Sequence, residues 1–172
     1  MTVSVHESED YPASQGRSLR IALLYNLASH APEPPDAPPD YLYELDHEHN
    51  VAAYRAALES RGHAVFPMEG DTDLPARLRL SPVDICFNTC EGFRGDSREA
   101  QAPALLEMIG TDLEINSLPG MTPISDLALM ARAEGWTHAD LINGILDAAL
   151  RRYGFIEALI RREEKVRQWT PV

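Results

Sequence analysis

The chain has 172 residues, a formal net charge of -12, 44% hydrophobic and 24% charged residues, a globular balance sufficient for one domain that hides about 70% of its unfolded surface. That acidity argues against a nucleic-acid or anionic-membrane partner, because phosphate backbones are held chiefly by Lys and Arg, and no stretch approaches the roughly 18–20 apolar residues of a membrane span. The basic residues are nearly all arginine, with Lys165 the sole lysine, and Cys86 and Cys90 have neither redox nor zinc spacing; reduced thiols in the cytoplasm are the expectation.

Residues 1–17 are polar and aperiodic, with neither the basic leader nor the apolar core of a signal peptide, and a disordered arm is expected there. Arg20 to Tyr25 (RIALLY) is an apolar run of strand length, expected to be buried on both faces. The proline-dominated stretch Ala31 to Asp40 belongs in a long loop, since proline fits neither a helix interior nor a central strand. A helix is predicted from Asp46, capped by Asp46, with Glu48 in its first turn and Val51, Tyr54, Ala57 and Leu58 at helical spacing; Gly62 should end it. Ala64–Met68 reads as a second strand, Leu74–Leu80 as a weaker helix and Val83–Asn88 as a third strand. After the turn Cys90 to Gly95, Ser97 to Ala100 has the form of a capping segment opening a helix to Met108.

Asp112 to Asn116 alternates as a strand does, and the turn Leu118-Pro119-Gly120 leads to a helix over Ile124–Ala133. Thr137 to Asp140 resembles another cap, opening an amphipathic helix to Tyr153. A charged helix is expected over Phe155–Gln168. Strands alternating with helices at this spacing specify a three-layer α/β domain over 18–154, with about four parallel strands in a flavodoxin/Rossmann-like arrangement and extra C-terminal helices. Ligands of such sheets bind beyond the carboxyl ends of the strands.

Two blocks carry a family resemblance. Glu48-His49-Asn50-Val51, with Asp84-Ile85-Cys86-Phe87-Asn88, Glu91-Gly92, Gly95, Glu99-Ala100-Gln101 and Leu105-Leu106-Glu107, resembles the N-terminal (pre-ATP-grasp) domain of D-alanine–D-alanine ligases. Leu113-Glu114-Ile115-Asn116-Ser117-Leu118-Pro119-Gly120-Met121-Thr122-Pro123-Ile124-Ser125 resembles the end of the catalytic domain in the same ATP-grasp enzymes. In that family a whole nucleotide-binding region lies between the blocks, whereas here Met108-Ile109-Gly110 runs directly into Thr111-Asp112. The resemblance therefore implies a ligase relative with a seam near 110–112, using ATP and Mg²⁺ in the family but binding neither tightly by itself. Cys90-Glu91 stands where the family has a histidine, and the proline loop replaces its first glycine-rich loop, which leaves the amino-acid substrate open.

The resemblance also implies site residues. Glu114 and Asn116, two apart on a strand, would be the metal ligands, as two oxygen donors on one face suit magnesium; an edge-strand acid and amide facing water is the plainer alternative. The Gly120 N–H would stabilise the oxyanion of a tetrahedral intermediate, though a glycine after proline also serves an ordinary turn. Ser125 would bind a substrate carboxylate at a helix start, where helix capping is an equal explanation. Glu48 would take a substrate ammonium, and a first-turn glutamate also suits the helix dipole. His47 and His49 beside Asp46 and Glu48 point in different directions on a helix and do not make a metal set. Three functional readings stand: a ligase relative inactive alone in ATP-dependent coupling; a non-catalytic module binding an amino acid, dipeptide or protein partner; and, remotely, an amidase using Cys90 with His138 as base. Neither nucleic acid nor membrane is expected as partner, and the apolar faces of the final helices leave a homodimer open.

Overall fold

The computed structural model of the chain describes residues 18–32, 37, 39–95, 97–110, 114–116 (backbone alone), 120–152 and 154. The expectations for 1–17 and for the helix over 155–168 fall outside these residues.

The first apolar run forms β1 (Arg20–Tyr25), with Ile21, Ala22, Leu23 and Leu24 fully buried. Such burial on both faces requires neighbours on both edges, and β1 has them. β2 (Ala64–Glu69) pairs with it in parallel from Arg20↔Ala64 to Tyr25↔Glu69, and β3 (Ile85–Asn88) pairs from Ile21↔Ile85 to Leu24↔Asn88. β4 (Glu114–Asn116) then adds to β3 in parallel, Cys86 opposite Glu114 and Asn88 opposite Asn116. The order is β2-β1-β3-β4, so the strand from the second block does join the sheet of the first.

Helices cover both faces. α1 (Glu48–Glu59) and α5 (His138–Arg152) lie on one face, where Val51, Tyr54 and Leu58 meet Ile142, Leu146 and Leu150 over Ile21, Leu23 and Phe87. The α5 residues recur every four positions, which keeps them on one stripe; each fully buried leucine or isoleucine contributes about 1.5–3 kcal/mol. α2 (Leu74–Leu80) and α3 (Gln101–Met108) cover the other face, with Leu74, Leu78 and Leu106 over Ala22, Leu24 and Cys86. α4 (Asp126–Ala133) connects to α5 and leaves Leu129 and Met130 exposed. This is the three-layer α/β architecture expected, of flavodoxin/Rossmann type with extra helices.

Polar groups tie α5 to α1 as well. Asn143 Nδ2 donates to the Ala57 carbonyl at 2.7 Å, and Arg61 pairs with the buried Asp147 at 2.5 Å. The cap of α5 forms as expected, with the Thr137 N–H donating to Asp140 and the Asp140 N–H donating to Thr137 Oγ1.

Other caps differ. His47, not Asp46, is the N-cap of α1, and its side chain makes no cap hydrogen bond; Asp46 is drawn inward to Thr89 instead. Ser97 precedes a 3-10 turn, Arg98–Ala100, and also makes no side-chain cap. The helix expected from Ile124 begins two residues later, because Thr122, Pro123 and Ile124 are used in a turn closed by the Ser125 N–H donating to the Thr122 carbonyl.

Candidate functional site

From β1 the chain steps outward to β2 and then crosses to β3 on the opposite side. In such sheets the carboxyl ends of the two strands on either side of that reversal splay a crevice where ligands bind. Each of the three long strands here delivers a polar residue to this edge: Asn26 after β1, Glu69 at the end of β2, and Asn88 and Thr89 at the end of β3.

Asn26 staples the edge. Its Nδ2 donates to the Gly70 carbonyl at 3.0 Å, and its Oδ1 accepts the Gly92 N–H at 2.8 Å. Gly92 has φ 73° and an added Cβ would lie 2.5 Å from the Arg98 carbonyl oxygen, so only glycine lets the loop after β3 reach Asn26. Glu69 accepts the Leu27 N–H at 3.1 Å and holds His30 Nδ1 at 2.7 Å, a contact that raises the His30 pKa from its ordinary value. The segment before α1 is anchored at the reversal point itself: Asp46 N–H donates to the Asn26 carbonyl, Ala28 N–H donates to the Asp46 carbonyl, and Thr89 Oγ1 lies 2.7 Å from Asp46 Oδ2. Burial pushes the Asp46 carboxyl up to about 6, against the smaller lowering effects of Thr89 and His47.

Glu48 stands exposed at the start of α1. Hydrogen bonds from its own backbone N–H and from Ser29 (2.8 Å) lower its pKa, keeping it anionic. Glu91 is half-buried at the same edge, raised by burial and then by Glu99 and Glu44. Glu44, Glu91 and Glu99 bring one carboxylate oxygen each within 4.8 Å of one another, but Arg98 already pairs with Glu44 and donates to the Glu91 carbonyl, which neutralises part of that charge. A cleft of about 760 Å³ opens beyond β2 and β3, lined among others by His30, Glu69, Asp71, Phe93, Arg94 and Gln101.

The residues singled out by resemblance fall into separate groups. Gly120 and Ser125 lie together: a Cβ at Gly120 would lie 3.8 Å from Ser125 Oγ, an ordinary contact, with nothing closer among the described residues. Ser125 is the N-cap residue of α4, but its Oγ makes no cap hydrogen bond; it donates to the Thr122 carbonyl at 2.8 Å and lies 2.8 Å from Thr122 Oγ1. Met121, next to Gly120, is buried in the same cluster as Val51 and Tyr54 of α1. Glu48 bonds to Ser29, and no hydrogen bond joins it to Gly120 or Ser125 among the described residues. The side chains of Glu114 and Asn116 lie outside the description; their backbone register sets them beside Cys86 and Asn88.

Cys90 lacks the setting of a nucleophile. It is 5% exposed, burial pushes its thiol far up, and a Cβ on Gly70 would run into its Sγ. A thiol must ionise to attack. Its supposed base, His138, is occupied elsewhere, Nε2 on the Met121 carbonyl at 2.9 Å and ring stacked on Tyr54. The stacked rings of His47 and His49, 5.6 Å apart, belong to no group of three metal-binding side chains among the described residues. Sequence reasoning missed Asn26, Glu69 and Thr89; the available signal was a polar residue closing each apolar strand at the edge where such sheets bind.

Fold and edge together define a small doubly wound α/β domain whose polar groups gather at the topological switch point. Residues 111–147 match the family model described as D-ala D-ala ligase C-terminus. The chain is 30% identical over 145 residues, 81% of its own length, to a D-alanine--D-alanine ligase of Rhizorhabdus wittichii, and it spans 41% of that relative. A 41-residue stretch, 24% of the chain, is 54% identical to the uncharacterized protein y4sG of Sinorhizobium fredii, covering 12% of that protein. No solved structure matches significantly. Over these stretches the chain is similar to part of a D-alanine–D-alanine ligase. None of its described helices is long and apolar enough to cross a membrane.

Proposed function

We propose that this polypeptide retains an amino-acid- or dipeptide-binding edge of the ligase family and does not by itself couple amino acids at the expense of ATP. The supporting observation is the pairing of β4 with β3. It brings the strand of Glu114 and Asn116 into the sheet whose edge carries Glu48. In this reading Glu48 receives a substrate ammonium, Ser125 a carboxylate, and the Gly120 N–H faces a carbonyl oxygen, where such a donor is worth about 3–4 kcal/mol to a developing oxyanion.

The nucleotide is a different matter. Triphosphate needs several cations or a glycine-rich cradle, and the cleft at this edge is lined by one arginine, Arg94, and no lysine. A magnesium ion fits Glu114 and Asn116 only in part: two donors on β4 leave its octahedron to waters and to phosphates. No catalytic step is therefore assigned to either group, and the seam near 110–112 is where the family's phosphate-handling region would belong.

Two measurements test this together. Titration calorimetry with D-alanine, L-alanine and D-alanyl-D-alanine should show binding of at least one, abolished by Glu48→Gln. A coupled assay for ADP release with the same amino acids and Mg-ATP should show no turnover. Robust ADP release by the purified chain defeats the inactive reading; absence of heat with every ligand defeats the binding one.

A further inference from the structure

Thr89 Oγ1 lies 2.9 Å from the Leu24 carbonyl oxygen and 2.7 Å from Asp46 Oδ2. Both distances are those of hydrogen bonds, but a threonine hydroxyl has one hydrogen to give. While Asp46 is ionised, both partners are acceptors that compete for that one hydrogen, although the Leu24 carbonyl also accepts the Thr89 N–H at 2.9 Å. A proton on Asp46 removes the conflict: its O–H donates to Thr89 Oγ1, and the Thr89 O–H donates to the Leu24 carbonyl.

We propose that Asp46 is a proton-carrying clasp, which in its neutral form fastens the segment leading into α1 to the switch point between β1 and β3, and which loosens when the proton leaves. Glu48 follows two residues later, so the clasp positions that carboxylate; it holds whichever ligand the edge takes.

The surroundings favour the neutral form. Asp46 is 8% exposed, and among the described residues no arginine or lysine pairs with it. The titratable groups facing it are His47 beside it, Tyr54 from α1, and Cys90 and Glu91 from the loop after β3. Of these only His47 can bring positive charge; Glu91 brings the opposite. The carboxyl has no easy route out to water, because its own backbone is fixed on both sides: its N–H donates to the Asn26 carbonyl and its carbonyl accepts the Ala28 N–H, each at 2.9 Å. A buried carboxyl without a cation takes up a proton to avoid the cost of an isolated buried charge.

A carboxyl raised from 3.8 to about 6 favours the closed state most strongly below 3.8 and progressively less up to 6. Linkage with these two values makes the closed-to-open ratio fall about tenfold between pH 5 and pH 7 and level off above.

The test uses the full chain with ¹³C-labelled aspartate. Asp46, identified by the resonance lost in Asp46→Asn, should titrate near pH 6 in the wild type. Protection of the Ala28 amide against hydrogen exchange, corrected for the intrinsic rate, should fall about tenfold from pH 5 to pH 7. In D46N, whose side-chain amide donates at every pH, that protection should not change with pH. A midpoint at or below 4, or equal Ala28 protection at pH 5 and 7 in the wild type, overturns the proposal. If D46N does not fold, the wild-type titration and exchange decide alone.

Discussion

Arg61→Met tests how the two ends of the chain are joined. Arg61 follows α1 and pairs at 2.5 Å with Asp147 of α5, whose side chain is 5% exposed. The two residues are 86 apart in sequence, so the pair spans the two blocks. Removing the guanidinium takes away the cation that pairs with the buried Asp147 carboxylate and leaves the imidazole of His63 as a neighbouring titratable group that feels its charge. Breaking a buried pair from one side costs about 3–5 kcal/mol, a large part of the roughly 5–15 kcal/mol that stabilises a domain. With a urea m value near 2 kcal/mol/M, the unfolding midpoint should drop by about 1.5–2.5 M. Followed by circular dichroism, Arg61→Met and Asp147→Leu supply the controls for each other: the double substitution removes both charges and should recover most of the loss, as apolar replacement of a buried pair is close to neutral. A drop below about 0.5 kcal/mol for Arg61→Met, the value of an exposed pair, would refute the docking of α5 on α1 described here.

Gly70→Ala should destabilise by about 1–3 kcal/mol through overpacking, since its Cβ would collide with Cys90 Sγ; adding Cys90→Ala should restore much of this in urea unfolding. In the native chain Cys90 should resist iodoacetamide at pH 8, and rapid alkylation would contradict its burial. Asn26→Ala removes two hydrogen bonds that link three strand ends, an expected cost of about 1–3 kcal/mol, with faster amide exchange at Gly92 as the local sign. Burial lowers the His63 pKa, and its Nδ1 accepts the Leu19 N–H at 3.3 Å. The folded state therefore binds this proton less readily than the unfolded one, and the stability His63 contributes, present above about pH 6.5, is lost as pH falls through its lowered value. Comparing melting temperatures of wild type and His63→Gln from pH 8 to pH 5 should show the two converging as pH falls; parallel curves would exclude the effect.

The periodicities were enough for the elements: the apolar run at Ile21, the four-residue spacing of Ile142, Leu146 and Leu150, and the Thr137–Asp140 cap all read directly, because each depends on neighbours within a turn or a strand. The second block's motif likewise marked the family through residues adjacent in sequence. Caps were read less well. Asp46 has the residue type of a helix cap, yet a hydroxyl 43 positions away at Thr89 holds it inward, and nothing local reports that. Cys90 had the setting of a nucleophile until Gly70, brought over it by β2, showed it sealed.

The local alternation of apolar and polar residues thus determined an α/β chain with four strands and its helices, since strand and helix periods are properties of consecutive residues. Tertiary structure alone decided that β4 lies against β3, that Asn26, Glu69 and Thr89 meet at one edge, and that Asp46 is buried with no arginine or lysine paired to it among the described residues. Those outcomes depend on strand order and on contacts between residues tens of positions apart, where burial, and not residue type, sets which side chains are charged and which are free to bind.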